Sequence, residues 1–164
     1  LRIDGEPTTS IAPGTEPAGL VRLAKLDDAD RTAAGWFSVF ARADGSPVID
    51  SQGDIISGDG VEKAARAFKL FARDLRDGDL QHELFGVSRL VELVVTTADV
   101  QKAMGIPEGT VPVGVWGSFY FPETEAGEMG WQKAKAGEWR EFSLVGRGKR
   151  HDVDADAVAA MGAR

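Results

Sequence analysis

No cysteine occurs among the 164 residues, which removes disulfides, thiol catalysis and thiolate metal sites together. Histidine is nearly as scarce. With 2 of them, His82 and His151, a zinc site would need both plus carboxylates, so no metal is expected. No apolar run approaches the ~20 residues that cross a bilayer, and no basic segment precedes an apolar one as in a secretory signal. An excess of positive charge is missing too. The 19 basic and 26 acidic residues leave a net −7, the wrong sign for an affinity that rests on neutralising phosphates. Neither nucleic acid nor membrane is therefore expected as a partner. There is no G-x-x-x-x-G-K-[ST] loop and no G-x-G-x-x-G after a strand, so no cofactor is expected. The nucleophile elbow G-x-S-x-G is absent as well. The run Asp152-Val153-Asp154-Ala155-Asp156 imitates the start of a calcium loop. It fails where Ala157 replaces the required glycine and Ala163 the required glutamate. An acidic helix N-terminus is its simpler reading.

What is present suffices for a core: 43% of the residues are hydrophobic, in a length that suits one domain. Residues 1–19 hold Pro7, Pro13 and Pro17 among Gly, Thr, Ser and Glu and read as a flexible N-terminal arm. Residues 20–164 read as a single domain. The chain begins at Leu1 rather than Met, the start expected of a fragment or a processed product. Strands are expected at 20–25 and 34–42, with a turn at Asp30-Arg31-Thr32 and a hairpin signal at Asp44-Gly45. Over 60–76 the residues Val61, Ala64, Ala65, Phe68, Phe71, Ala72 and Leu75 follow helical spacing, opened by a capping-box pattern of Asp59 and Glu62 and closed by Asp77-Gly78-Asp79. Further strands are expected at 87–96, 111–121 and 142–145, and short helices at 99–104, 128–136 and 154–161. The order lacks the regular βαβα rhythm of a parallel sheet. It predicts an α+β domain: a small, mostly antiparallel sheet or barrel surrounded by helices.

His82, near a loop–strand junction, has the chemistry of a general base, although a single histidine there is more often a surface or hydrogen-bonded structural residue. Ser143 lies between Phe142 and Leu144 with Gly146 and Gly148 close behind, a flank that lets backbone N–H groups approach a reacting oxygen. The four tryptophans Trp36, Trp116, Trp131 and Trp139 are expected in the core rather than along a peptide groove. Arg147, Lys149 and Arg150 read as a solvated strand end or a patch that steers an acidic partner.

Several segments fit one pattern. They are Asp50-Ser51-Gln52-Gly53-Asp54-Ile55-Ile56, the long helix, His82, Gly86-x-x-Arg89-Leu90-Val91-Glu92 and Pro112-Val113-Gly114-x-x-Gly117. Trp131-x-Lys133-x-Lys135-x-Gly137-Glu138-Trp139-x-x-Phe142-Ser143-Leu144 follows, closed by Arg147-Gly148-Lys149-Arg150. From about Trp36 to Arg150 this resembles the XkdF-type phage serine proteases, relatives of the prohead maturation proteases. The resemblance implies the fold of the herpesvirus assembly protease, a small barrel-like sheet ringed by helices. It also implies a serine endopeptidase that cleaves phage scaffold and major capsid protein segments, in the host cytoplasm inside the assembling procapsid, with self-association open. The family's histidine after the first long helix maps onto His82, and the serine of its GFSIGG-like strand onto Ser143. For the third catalytic member Glu92 fits a VES-like strand position. His151, Asp152, Asp154 and a group beyond residue 164 remain alternatives. Two positions depart from the pattern: Glu141 and Val145 stand where the family has glycine. A head-assembly protein that keeps the fold without the activity is the competing expectation, and an unrelated α+β binding domain the third.

Overall fold

The computed structural model describes residues 2–4, 23–49, 54–74, 77–80, 84–139 and 141–143. In chain order these form β1 (Arg2–Asp4), β2 (Leu23–Asp27), β3 (Thr32–Ala41), α1 (Asp59–Asp74), β4 (Asp77–Leu80), β5 (Leu84–Val95), α2 (Ala98–Ala103), β6 (Val113–Tyr120), α3 (Glu125–Lys135) and β7 (Glu141–Ser143). Among the described residues the strands make one 7-stranded sheet in the order β2-β3-β6-β5-β4-β1-β7. Its pairs are antiparallel except β1 with β4. Cα atoms of β3 and β7 come within 8 Å of each other although the two are not neighbours in that order, so the sheet curls back on itself. The expected α+β class with a mostly antiparallel sheet is what the chain forms.

The sheet's inner face is set by alternation along β3 and β6. Ala33, Phe37 and Phe40 face Val115 and Phe119, all at most 2% exposed. Phe37 and Phe119 stack at 5.2 Å, and each phenyl ring so buried contributes about 1.5–3 kcal/mol. Alternation along β3 is imperfect in the sequence for a structural reason. The β3–β6 register shifts between Trp36 and Ser38 and again between Val39 and Ala41, and such bulges re-aim the side chains that follow. That is how Phe37 and Phe40, three apart, both turn inward. The opposite face carries Trp36 and Trp116, cross-strand partners in edge-to-face contact at 5.5 Å. Two of the four tryptophans, Trp131 and Trp139, are core residues at 2% and 5% exposure, while Trp36 and Trp116 are half-buried.

The long helix runs over Asp59–Asp74 and packs on β5 and β6. Val61, Ala64, Phe68, Phe71 and Ala72 lie against the core around buried Ala65, while Lys63, Arg66, Lys69 and Arg73 are exposed. Asp59 is the first helical residue and pairs with Lys63 one turn on, at 2.5 Å. One expectation is corrected. Asp77-Gly78-Asp79, read as a helix-ending turn, lies in β4, because β5 on one side and β1 on the other supply the ladder partners that its composition alone would not promise. Of the N-terminal arm, Arg2–Asp4 enter the sheet as β1 between β4 and β7. The helix expected at 154–161 lies outside the described residues.

Candidate functional site

Ser143 is the last residue of β7, which is held against β1 by the register Arg2↔Ser143, Ile3↔Phe142 and Asp4↔Glu141. Arg2 is also the Cα partner of Asp79. The Ser143 backbone thus stands in a row with Arg2 and Asp79, two strand spacings or roughly 10 Å from the latter. His82 lies outside the described residues, in the connection from Leu80 to Leu84, which are themselves cross-strand partners.

Glu92 is a different matter. It stands on β5 eight residues beyond Leu84, about 26 Å along a continuous strand. A register shift between Leu90 and Glu92 shortens that only slightly. Its carboxylate accepts a hydrogen bond from the Ser118 hydroxyl at 2.7 Å, its cross-strand partner on β6. The expected partner of Glu92 as third catalytic member, His82, lies outside the described residues. The alternatives His151, Asp152 and Asp154 lie outside the described residues, as do Val145 and the basic cluster Arg147, Lys149 and Arg150.

The far end of β5 and the start of α2 are locked by buried polar groups. Thr96 Oγ1 donates to the Pro112 carbonyl at 2.9 Å and accepts from the Gly114 N–H at 3.0 Å. Gln101 Nε2 donates to the Thr96 carbonyl at 2.9 Å. Full pairing of this kind fixes one arrangement of strand ends, and so holds the sheet frame rigid from the side opposite the 81–83 connection.

Near the β4–β5 end the structure shows a feature that the sequence does not announce. A cavity of about 110 Å³ is lined by Gly86, Ser88, Arg89, Tyr120 and Pro122. Gly86 has φ +77°, in the left-handed region that favours glycine. The β4–β5 register shifts beside it, between the pairs Gly78↔Ser88 and Asp79↔Phe85. Residues 86–89 read in the sequence as ordinary strand, and only the bulge and the neighbouring β6 bring Tyr120 beside Arg89. Among the described residues no three His, Asp or Glu side chains gather as a metal site would require. No described helix is long and apolar enough to cross a membrane.

The chain is 32% identical over 99 residues to the "Uncharacterized protein YqbD" of Bacillus subtilis (strain 168), an alignment that takes in 60% of this chain and 27% of that protein. It thus spans about a quarter of the length of that relative. No solved structure matches it. The family model described as "Putative phage serine protease XkdF" matches residues 21–152, a span that takes in every strand of the sheet but β1, together with His82 and Ser143, and the chain belongs to that family.

Proposed function

We propose that this chain is a phage head-maturation serine endopeptidase with Ser143 as nucleophile and His82 as general base, built on a curled sheet related to that of the herpesvirus assembly protease. The observation that carries the reading is the family match across residues 21–152, which spans both residues. In the proposed reaction Ser143 Oγ attacks a peptide carbonyl while His82 takes its proton. The tetrahedral adduct collapses to an acyl-enzyme as His82 returns that proton to the leaving amine. Water, deprotonated by His82, then releases the acid and regenerates the serine. Substrates in this reading are scaffold and major capsid protein segments, cut inside the assembling procapsid in the host cytoplasm. The proposed reaction assigns no step to Glu92, whose carboxylate accepts from the Ser118 hydroxyl.

The test is labelling with a fluorophosphonate probe. Wild-type protein is expected to label, and Ser143→Ala and His82→Ala each to abolish it, with the double variant no worse than either single because the two act as a unit. Val145, standing where the family has glycine, favours a second reading: a head-assembly protein that keeps the fold but not the oxyanion site. Absence of labelling in folded wild-type protein, restored by Val145→Gly, would select it.

A further inference from the structure

We propose that the cavity at the β4–β5 bulge is a subsite for a carboxylate-bearing side chain of an acidic peptide; the peptide, though not the carboxylate site, rests on the endopeptidase reading. Three of its five lining residues carry polar groups with nothing to bind. Ser88 is 2% exposed and its hydroxyl has no hydrogen-bond partner, although buried hydroxyls are almost always paired. Arg89 and Tyr120 are Cα partners across β5 and β6. Neither the Arg89 guanidinium nor the Tyr120 hydroxyl holds a hydrogen bond or ion pair with a described residue. The contrast within the chain is plain. Arg31 holds Glu128, Arg42 holds Ser46 and the Pro47 carbonyl, and Arg73 holds Asp74. On a chain of net charge −7, an arginine beside a cavity with no carboxylate partner among the described residues is a place for an acid from outside.

Size and lining narrow the occupant. About 110 Å³ is several times what one water requires and well short of the ~300 Å³ at which small-molecule sites begin. One side chain fits; a nucleotide does not. The Tyr120 ring and Pro122 offer apolar surface for a methylene stem, and the guanidinium supplies a planar fork that matches a carboxylate. The row through Ser143, Arg2 and Asp79 ends on Phe85, so three strand spacings, about 14 Å along the sheet, separate it from the mouth of the cavity. An extended peptide covers that in about four residues. The register also sets Asp77 opposite Arg89 on β4.

The test is a titration of the full isotope-labelled chain with N-acetyl-glutamate amide, N-acetyl-glutamine amide and acetate, read at the Arg89 Nε–H and Ser88 amide resonances. The glutamate compound is expected to shift both saturably, with the glutamine compound and acetate each about tenfold weaker, the step lost with one charge-assisted pair or the stem contacts. Arg89→Leu should erase the preference for glutamate and Arg89→Lys keep part of it. Asp77→Asn should tighten binding. Equal response to all three ligands, or a response seen only in Asp77→Asn, overturns the proposal. The titration needs no catalysis. Saturable glutamate binding without fluorophosphonate labelling therefore removes the endopeptidase alone, and labelling without glutamate preference removes the subsite alone.

Discussion

Ser118 is 2% exposed and spends its hydroxyl proton on the Glu92 carboxylate. Substitution tests the two roles that the sequence left open for Glu92. A strand carboxylate that only accepts from its neighbour should tolerate an isosteric amide. Glu92→Gln is expected to shift stability by no more than about 0.5 kcal/mol and to leave peptide cleavage unchanged. Ser118→Ala, which strips the acceptor of its donor, should cost about 1 kcal/mol in a urea titration. A fall in kcat for Glu92→Gln at wild-type stability would return Glu92 to the catalytic group. The sequence showed Glu92 as a strand residue and could not show Ser118 as its partner, because the two are 26 positions apart and meet only through the β5–β6 register.

At the scale of elements, α3 shows packing overruling propensity. It starts at Glu125, three residues before the expected 128, because Thr124 caps it by accepting from the Gly127 N–H at 3.1 Å. Thr97 caps α2 in the same way, with a longer 3.4 Å contact to the Val100 N–H. Thr124→Ala is expected to cost about 1 kcal/mol and Thr97→Ala less, as caps do. Helix propensity says Gly130→Ala should gain about 1 kcal/mol. Sterics say otherwise. A Cβ on Gly130 would collide with Val87 Cγ1, and would sit 3.0 Å from the Trp139 ring and 3.1 Å from that of Phe121. All three are buried at 5% exposure or less. Overpacking of that kind costs roughly 1–3 kcal/mol, so the net change is expected to be destabilising, measured as a lower urea midpoint at unchanged slope. A gain in stability would mean that α3 shifts freely on the sheet.

Among the described residues, the carboxyls whose pKa is lowered lie at or near the surface. Asp27 is held below the usual carboxylate range by the Lys25 ammonium, Asp44 by the Ser46 hydroxyl and N–H, and Asp74 by the Arg73 guanidinium. Glu128 is lowered by Gln132 first and Arg31 second. A carboxyl with a lower pKa folded than unfolded adds stability that is complete above its unfolded value and lost as pH falls through the folded one. Tm should therefore hold level through neutral pH and drop across the range below about pH 4. The four groups are exposed, so the drop owed to them is small. Arg31→Gln, which removes one of the Glu128 partners, should make the acid limb shallower, as read by Tm against pH. An acid limb unchanged in that variant would show that Arg31 matters only through its bond to the Phe121 carbonyl.

Period and punctuation determined the elements that bury a face. The apolar stripe of α1 and the valine-rich β5 and β6 were legible because their own side chains carry the pattern that burial selects. So was the turn at Asp44-Gly45, where Gly45 has φ +84°. Family resemblance in the sequence likewise marked Ser143 and His82, since their flanking residues are local. Tertiary structure alone decided what depends on a partner strand. It made Asp77-Gly78-Asp79 a strand rather than a stop, drew Arg2–Asp4 into the sheet, and set Ser118 beside Glu92 and Tyr120 beside Arg89. Hydrogen bonds between strands join residues tens of positions apart, and a shift of register by one residue changes which side chains meet. No local pattern encodes that choice.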